Sequence, residues 1–297
     1  HTAYTTGAPM RIGVVFPHRE LSGDPTAIRA HAQAAEAAGY QHYLAFDHVL
    51  GAQRDRPGGF QGPYDSETPF TEPFVLFAHL AAVTQTIEFA SGIVILPQRQ
   101  TALVAKQAAD LSILSEGRFR LGVGIGWNAV EYEALGQDFH TRGRRMEEQV
   151  QLLRRLFTEP VVDFQGRFDR IPLAGIEPRP PQHIPIWMGG TADAVIDRVG
   201  RLADGWFPLR GGPESTAPSI ARIREVATAA GRDPDAIGID PQIRLTGDAP
   251  EDVARAIAWR EVGATHLSVN TMNSGLETPA DHITAIEAFM RAWQDAN

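Results

Sequence analysis

Asp47 and His48 stand side by side where an apolar run, Tyr43-Leu44-Ala45-Phe46, stops and a long polar segment begins. An imidazole titrates near neutral pH and can give or take a proton, and a neighbouring carboxylate can hold its ring in one orientation. The same pair could instead cap a strand and satisfy loop amides. Ser91-Gly92-Ile93-Val94-Ile95-Leu96-Pro97 puts a glycine inside an otherwise β-branched run. Such a glycine marks a bulge, tight packing or the close approach of a ligand. Leu121 to Asn128 (LGVGIGWN) carries Gly122, Gly124 and Gly126, with Trp127 and Asn128 at its end. This spacing is not the G-x-G-x-x-G of a dinucleotide fingerprint. An indole and an amide at the end of a glycine-lined strand suit a flat ring with polar edges. In Pro185-Ile186-Trp187-Met188-Gly189-Gly190-Thr191 the glycines close a strand and Thr191 is expected to open a helix. Free amides at the positive end of a helix would hold a phosphate, the alternative being an ordinary capped turn.

Several chemistries are set aside by what the chain lacks. It has no cysteine, so disulfides, thiolate nucleophiles and cysteine-ligated metals are excluded. The ten histidines show no H-x-x-x-H pairing, and no G-x-S-x-G elbow is present, so neither a metal site nor a serine nucleophile is expected. The formal net charge is −9, and no run of basic residues offers nucleic acid a footing. No apolar run approaches the length of a membrane span, and a cytoplasmic location is the expectation.

The elements that must carry these residues form a repeating series. From Met10 onward, short apolar runs alternate with amphipathic stretches rich in Ala, Leu and Arg. Strands are expected at Arg11–Phe16, His42–Phe46, Ile87–Leu96, Phe119–Ile125, Ile184–Met188, Gly205–Pro208, Ile237–Leu245 and His266–Asn270. Helices are expected between them, including Thr26–Ala38, Pro73–Thr84, Leu103–Leu114, Ala129–Leu135 and Arg142–Phe157. Near-continuous apolar strands are those of a parallel sheet covered on both faces. Strict strand–helix alternation over the 297 residues fits an α/β chain folded as a (β/α)8 TIM barrel, a doubly wound open sheet being the rival. Two insertions break the short-loop rule. One, Gly51–Thr71, follows strand two and is a candidate lid. The other, Glu159–His183, precedes strand five and contains a hairpin-like piece with Gly166 at its turn. The first nine residues, His1–Pro9, read as a cloning remnant or a loose tail, leaving a single domain over residues 10–297.

In order and spacing, Asp47-His48, GIVILP at 92–97, AKQAADLSILSEGRFRLGVGIGWN at 105–128, YEALGQDFHTRGRRMEE at 132–148, PIWMGG at 185–190 and ADGWF at 203–207 resemble the bacterial luciferase-like family, and within it the branch dependent on coenzyme F-420. The resemblance implies the same barrel, with a deazaflavin or flavin lying across the C-terminal ends of its strands. It implies a non-proline cis peptide at Gly92–Ile93, next to Ser91 and beneath the ring. Met188, Gly189, Gly190 and Thr191 would hold the cofactor phosphate, Gly126, Trp127 and Asn128 would border the ring, and His48 with Asp47 would lie at its reactive carbon. The sugar-phosphate dehydrogenases of the family carry a glutamate where Trp127 falls, and Thr and Lys where this chain runs Pro208-Leu209-Arg210-Gly211-Gly212. The expected activity is hydride transfer between F-420 and a small organic substrate, in a chain that could pair as a homodimer. The alternatives are an FMN-dependent monooxygenase fed by a partner reductase and a cofactor-binding protein without turnover.

Overall fold

The computed structural model describes residues 9–297, so all of the expected tail except Pro9 lies outside the described residues. The strands are β1 (Arg11–Val15), β2 (His42–Ala45), β3 (Glu88–Ser91), β4 (Val94–Ile95), β5 (Phe119–Gly124), β6 (Val162–Gln165), β7 (Arg170–Ala174), β8 (Ile186–Gly189), β9 (Gly205–Phe207), β10 (Gly238–Ile239), β11 (Gln242–Arg244) and β12 (His266–Asn270). The helices are α1 (His18–Leu21), α2 (Pro25–Ala38), α3 (Pro73–Ala81), α4 (Thr101–Leu114), α5 (Ala129–Ala134), α6 (Arg142–Thr158), α7 (Asp193–Leu202), α8 (Pro213–Ala229), α9 (Ala249–Glu261) and α10 (Pro279–Asp295). All strands except β6 and β7 join one parallel sheet in the order β10-β9-β8-β5-β3-β2-β1-β12-β11, with β4 beside β5. Its two end members, β10 and β11, are successive pieces of a single run interrupted at Asp240-Pro241. The amide of Thr265 also donates to the carbonyl of Ile239 at 3.1 Å. The sheet therefore curls until its ends meet. Strands β6 and β7 form a separate antiparallel hairpin before β8, where the hairpin-like piece was expected.

Two expected strands are each split, and both splits have a physical cause. Ala90 pairs with Arg120 and Val94 with Val123, so the β3–β4 side spends one residue more than β5. This is a bulge. The Ser91 hydroxyl fills the gap in the ladder, bonding both the carbonyl and the amide of Gly122 at 2.9 Å. A Cβ on Gly122 would fall on the Ser91 carbonyl, so the close approach requires glycine there. The Gly92–Ile93 peptide at the bulge is cis, as the resemblance implied. The seventh strand breaks where Pro241 removes an amide from the ladder.

The main apolar core lies between the curled sheet and the surrounding helices. The inside of the curl is filled differently at its two ends. Toward the strand C-termini sit Val15, Leu44, Trp187, Phe207 and Met272, with Phe46 and Ile93 packed on top. Deeper, His42, Arg120, Asp240, His266 and Ser268 are all buried. Asp240 accepts from Arg120 at 3.2 Å and from Ser268 at 3.0 Å, and lies 3.1 Å from His42 Nε2. Arg120 also reaches Glu88 at 3.0 Å, and its guanidinium lies 4.1 Å from the centre of the Trp187 ring. Glycine makes room for this layer: a Cβ on Gly13 would strike the His42 ring, and one on Gly205 would strike Trp187. Burial pushes the Asp240 carboxyl up, but His42 and Arg120 outweigh it and hold it below the usual carboxylate range. No helix among the described residues is long and apolar enough to cross a membrane.

The buried ion cluster gives a stability prediction. Arg120→Met keeps the volume but strands the Asp240 charge, a change that costs about 3–5 kcal/mol when one partner of a buried pair is lost. Urea denaturation of the two proteins measures it; a loss under 1 kcal/mol would mean that Arg120 is not Asp240's counter-charge.

Candidate active site

Parallel strands in a curled sheet end on one face, and the segments that follow them converge there. On that face β2 runs into Phe46, Asp47 and His48. The bulge presents Ile93, β5 leads to Gly126, Trp127 and Asn128, and β8 ends at Gly189.

Ile93 is the centre of an apolar floor. It is only partly buried, and so is Phe46. Gly124 and Gly189 flank Ile93, and a Cβ on either would come within 3 Å of its side chain. Side chains at those positions would push Ile93 out of the floor. Met188 is fully buried in the core between the sheet and the helices, so its side chain does not face the cleft. Ser91 is also buried, with its hydroxyl committed to Gly122, so it acts from underneath rather than facing the cleft. Gly126 takes φ 61°, and a Cβ there would meet Ile95 at 2.8 Å.

His48 forms one wall. Its ring lies 4.9 Å from Tyr64, 4.9 Å from Phe70 and 5.6 Å from Trp127. Its Nδ1 sits 3.4 Å from Oε2 of Glu131. The adjacent carboxylate, Asp47, does not orient it. Asp47 instead accepts from the Ile95 amide at 2.9 Å and from Arg99 at 2.7 Å, turned toward the bulge. The sequence offers Asp47 as the partner of His48, and the structure supplies Glu131.

Glu131 stands three residues beyond Asn128, whose side chain caps α5 by accepting from the Val130 amide at 3.1 Å. The Glu131 side chain is fully buried. Besides His48, its carboxylate accepts from the amides of Val49 and Leu50 and from Gln98 Nε2. Burial pushes its pKa up, but the His48 contact and the Val49 amide outweigh this, and it stays below its ordinary value. The carboxylate is therefore ionised at neutral pH. In sequence it looks like any acid in the first turn of a helix.

A second imidazole, His18, follows β1. Its Nε2 accepts from the Phe46 amide at 2.9 Å, and burial, helped by nearby His48, drives its pKa down to about 3. It stays neutral, stacked with Phe46 and packed 4.8 Å from Phe70.

Beyond β8, Gly190 takes φ 137° and Thr191 is exposed. Helix α7 starts at Asp193, with Ala192 rather than Thr191 as its N-cap, because Ala192 remains extended. Alanine supplies no side-chain cap, so the first turn of α7 keeps amides available to an anion.

The segment between β2 and α3 folds over the face. A Cβ on Gly62 would lie 2.5 Å from the Trp127 ring, and Phe60 packs on that ring at 5.9 Å. Arg19 ties the segment down by donating to the Pro63 carbonyl at 2.9 Å, and also reaches Asn273 at 3.3 Å. Beneath it lies a chamber of about 320 Å³ bordered by His48, Val49, Leu50, Gly51, Tyr64 to Ser66, Thr68, Phe70 and Asn128.

Comparison with known proteins places this fold. The family model described as luciferase-like monooxygenase matches residues 10–289. An uncharacterised protein of Mycobacterium tuberculosis is 38% identical over 223 residues, covering 73% of this chain and 77% of its own. The F-420-dependent hydroxymycolic acid dehydrogenase of the same organism is 29% identical over 253 residues, covering 84% of this chain and 66% of its own. Among solved structures, an F-420-dependent secondary alcohol dehydrogenase in complex with an F-420–acetone adduct superposes with TM-score 0.79 at 18% identity, over 96% of this chain and 99% of the other. The curled sheet is thus a TIM barrel, and by the family match over almost its whole described length this chain belongs to the luciferase-like monooxygenase family.

Proposed function

We propose that this chain is an oxidoreductase that moves a hydride between coenzyme F-420 and a small alcohol or carbonyl compound. The observation that carries this reading is the His48–Glu131 pair at the edge of an apolar, glycine-flanked floor. The residues fit a planar cofactor. Ile93 and Phe46 give it a flat apolar surface, Trp127 borders it while the buried Asn128 amide is committed to Val130 and Leu50, and Gly189, Gly190 and the uncapped start of α7 suit a phosphate. When bound, the deazaflavin supplies the hydride chemistry, and the protein supplies position and proton handling.

His48 is the proton-handling group in this reading. Glu131 is ionised and faces Nδ1, so the neutral ring carries its proton on Nδ1 and leaves the Nε2 lone pair free. Nε2 makes no hydrogen bond with any described residue. It can take a proton from an alcohol, or return one to the nascent alkoxide in the opposite direction. Asp47 serves by position, bracing the bulge through Ile95 and Arg99. The dehydrogenase similar to this chain over 84% of its length supports F-420, while the family's description as monooxygenases supports FMN as the rival.

Parallel equilibrium dialysis against F-420 and FMN decides between them; retention of F-420 at tens of micromolar with little FMN is expected, and the reverse order would sink the reading. His48→Ala should hold F-420 within about threefold of the parent affinity yet lower F-420-coupled turnover of secondary alcohols by about 10²–10⁴, the usual span of general acid–base catalysis.

Glu131→Gln tests the orienting carboxylate. Because the folded pKa of Glu131 is depressed below its ordinary 4.5, its contribution is complete above about pH 4.5 and fades as pH falls through the lowered value. The stability gap between parent and variant, about 2–3 kcal/mol for lost bonds to a charged group, should be present at neutral pH and close as pH falls through the lowered Glu131 value. A gap that persisted undiminished in strongly acid solution would contradict the assignment.

A further inference from the structure

The two ends of the β2–α3 segment close on a single guanidinium. Asp47, just before the segment, lies 2.7 Å from Arg99 Nη2, and Glu72, just after it, lies 2.9 Å from Arg99 Nη1. That guanidinium also sits 5.7 Å from the centre of the Phe74 ring, in the first turn of α3. Arg99 itself stands between the bulge and α4, and its carbonyl accepts from Gln149 Nε2 at 3.0 Å, which fixes its backbone from behind. Its side chain is 14% exposed and that of Asp47 is fully buried, so salt screens their pair little.

Each carboxylate spends its second oxygen on a different part of the site. Asp47 Oδ2 accepts from the Ile95 amide at 2.9 Å, beside the bulge that presents Ile93. Glu72 Oε2 accepts from the Val75 amide at 2.8 Å and so caps α3. Arg99 thus lies between the floor of the cleft and the end of the segment that covers it. The cover is braced within itself. Arg54 reaches Asp65 at 2.5 Å, the Thr68 hydroxyl donates to the same carboxylate at 3.0 Å, and the Ser66 amide donates to the Ala52 carbonyl at 3.1 Å. A Cβ on Gly51 would fall on the Asp65 carbonyl, so the two limbs of the cover touch. A loop braced in this way shifts as one piece about its ends, and here both ends are held by one side chain.

Resting on the F-420 reading only for the effect on turnover, we propose that Arg99 is a positioning residue that locks the cover, Gly51–Thr71, to the bulge, so that cover and floor shift together. It does so through Asp47 and Glu72, without itself bordering the chamber beneath the cover. The planar fork presents Nη1 and Nη2 at a fixed spacing, one to each carboxylate. A lysine ammonium keeps the charge but not that spacing.

The test follows amide hydrogen exchange in the cofactor-free full-length protein, at Ile95 for the floor and at Val75 for the start of α3, with the β12 amides as reference. The Glu72 side chain is 30% exposed, so Glu72→Gln keeps the fold. It should speed exchange at Ile95, which it does not touch, by about threefold or more, and Asp47→Asn should do the same at Val75. Effects confined to the amide that each carboxylate bonds would mean two independent pairs and overturn the lock. Equal acceleration in β12 would mean a global loss of stability and overturn it too. Arg99→Lys should leave at least one of the two amides fast; parent-like exchange at both would overturn the role of the fork. In F-420-coupled turnover of secondary alcohols, Glu72→Gln should lower kcat by about threefold or more as well as raise KM. A change in KM alone would mean that the cover moves without the floor, against the proposal. Exchange coupling without any F-420 turnover by the parent would remove the cofactor reading and leave the lock standing.

Discussion

The Glu131 carboxylate has to remain ionised where no water reaches it. A buried charge is tolerated only when it is paired and its lone pairs are satisfied. Four partners do this here: the amides of Val49 and Leu50, the Gln98 amide and the His48 ring. These partners come from the end of the second strand and from the turn after the bulge, and Glu131 itself comes from the helix after β5. One side chain therefore ties three consecutive βα junctions to a common point. The cleft inherits its shape from that constraint, because the direction of His48 and the path of the chain into Gly51–Thr71 both follow from it.

The rest of the barrel keeps those junctions in register. Ser91 mends the ladder beside the bulge, Asp47 braces it from the end of the neighbouring strand through Ile95 and Arg99, and three glycines give Ile93 and the bulge their space. Beneath the floor, Trp187 and Phe207 seal the inside of the curl, and the ion cluster around Arg120 lies below that seal. An apolar layer thus separates the proton-handling pair from a second set of buried charges. His42 and His266 are kept neutral by burial, so the deeper set contributes fixed charge through Arg120, Asp240 and Glu88.

Much of this was legible in the sequence for local reasons. Near-continuous apolar runs mark parallel strands whatever the closure, and the glycine within Ser91–Pro97 marks the bulge. The pairs that depend on closure were not legible. His42, Arg120 and Ser268 lie on three different strands and Asp240 at the break between β10 and β11, and in sequence each is a lone polar residue in an apolar run. Glu131 was missed for a similar reason: an acid in the first turn of a short helix already has a sufficient local explanation in the helix dipole. Asp47 shows the reverse. Adjacency suggested a partnership with His48, but neighbouring residues leaving a strand point in opposite directions, so Asp47 faces the bulge while His48 faces the cleft. The helix start moved past Thr191 because Gly190 turns at a positive φ and Ala192 stays extended, a backbone choice that residue types alone do not dictate.

Everything proposed for the site rests on where a planar ring lies relative to Ile93 and His48. A crystal structure with F-420 bound measures that directly. The predicted result is a deazaflavin ring on the Ile93 and Phe46 floor, its phosphate at Gly189 to Asp193, and His48 at the ring's edge with Nδ1 still on Glu131. A ring seated elsewhere, or a His48 that leaves Glu131 and turns away from the ring, would contradict it.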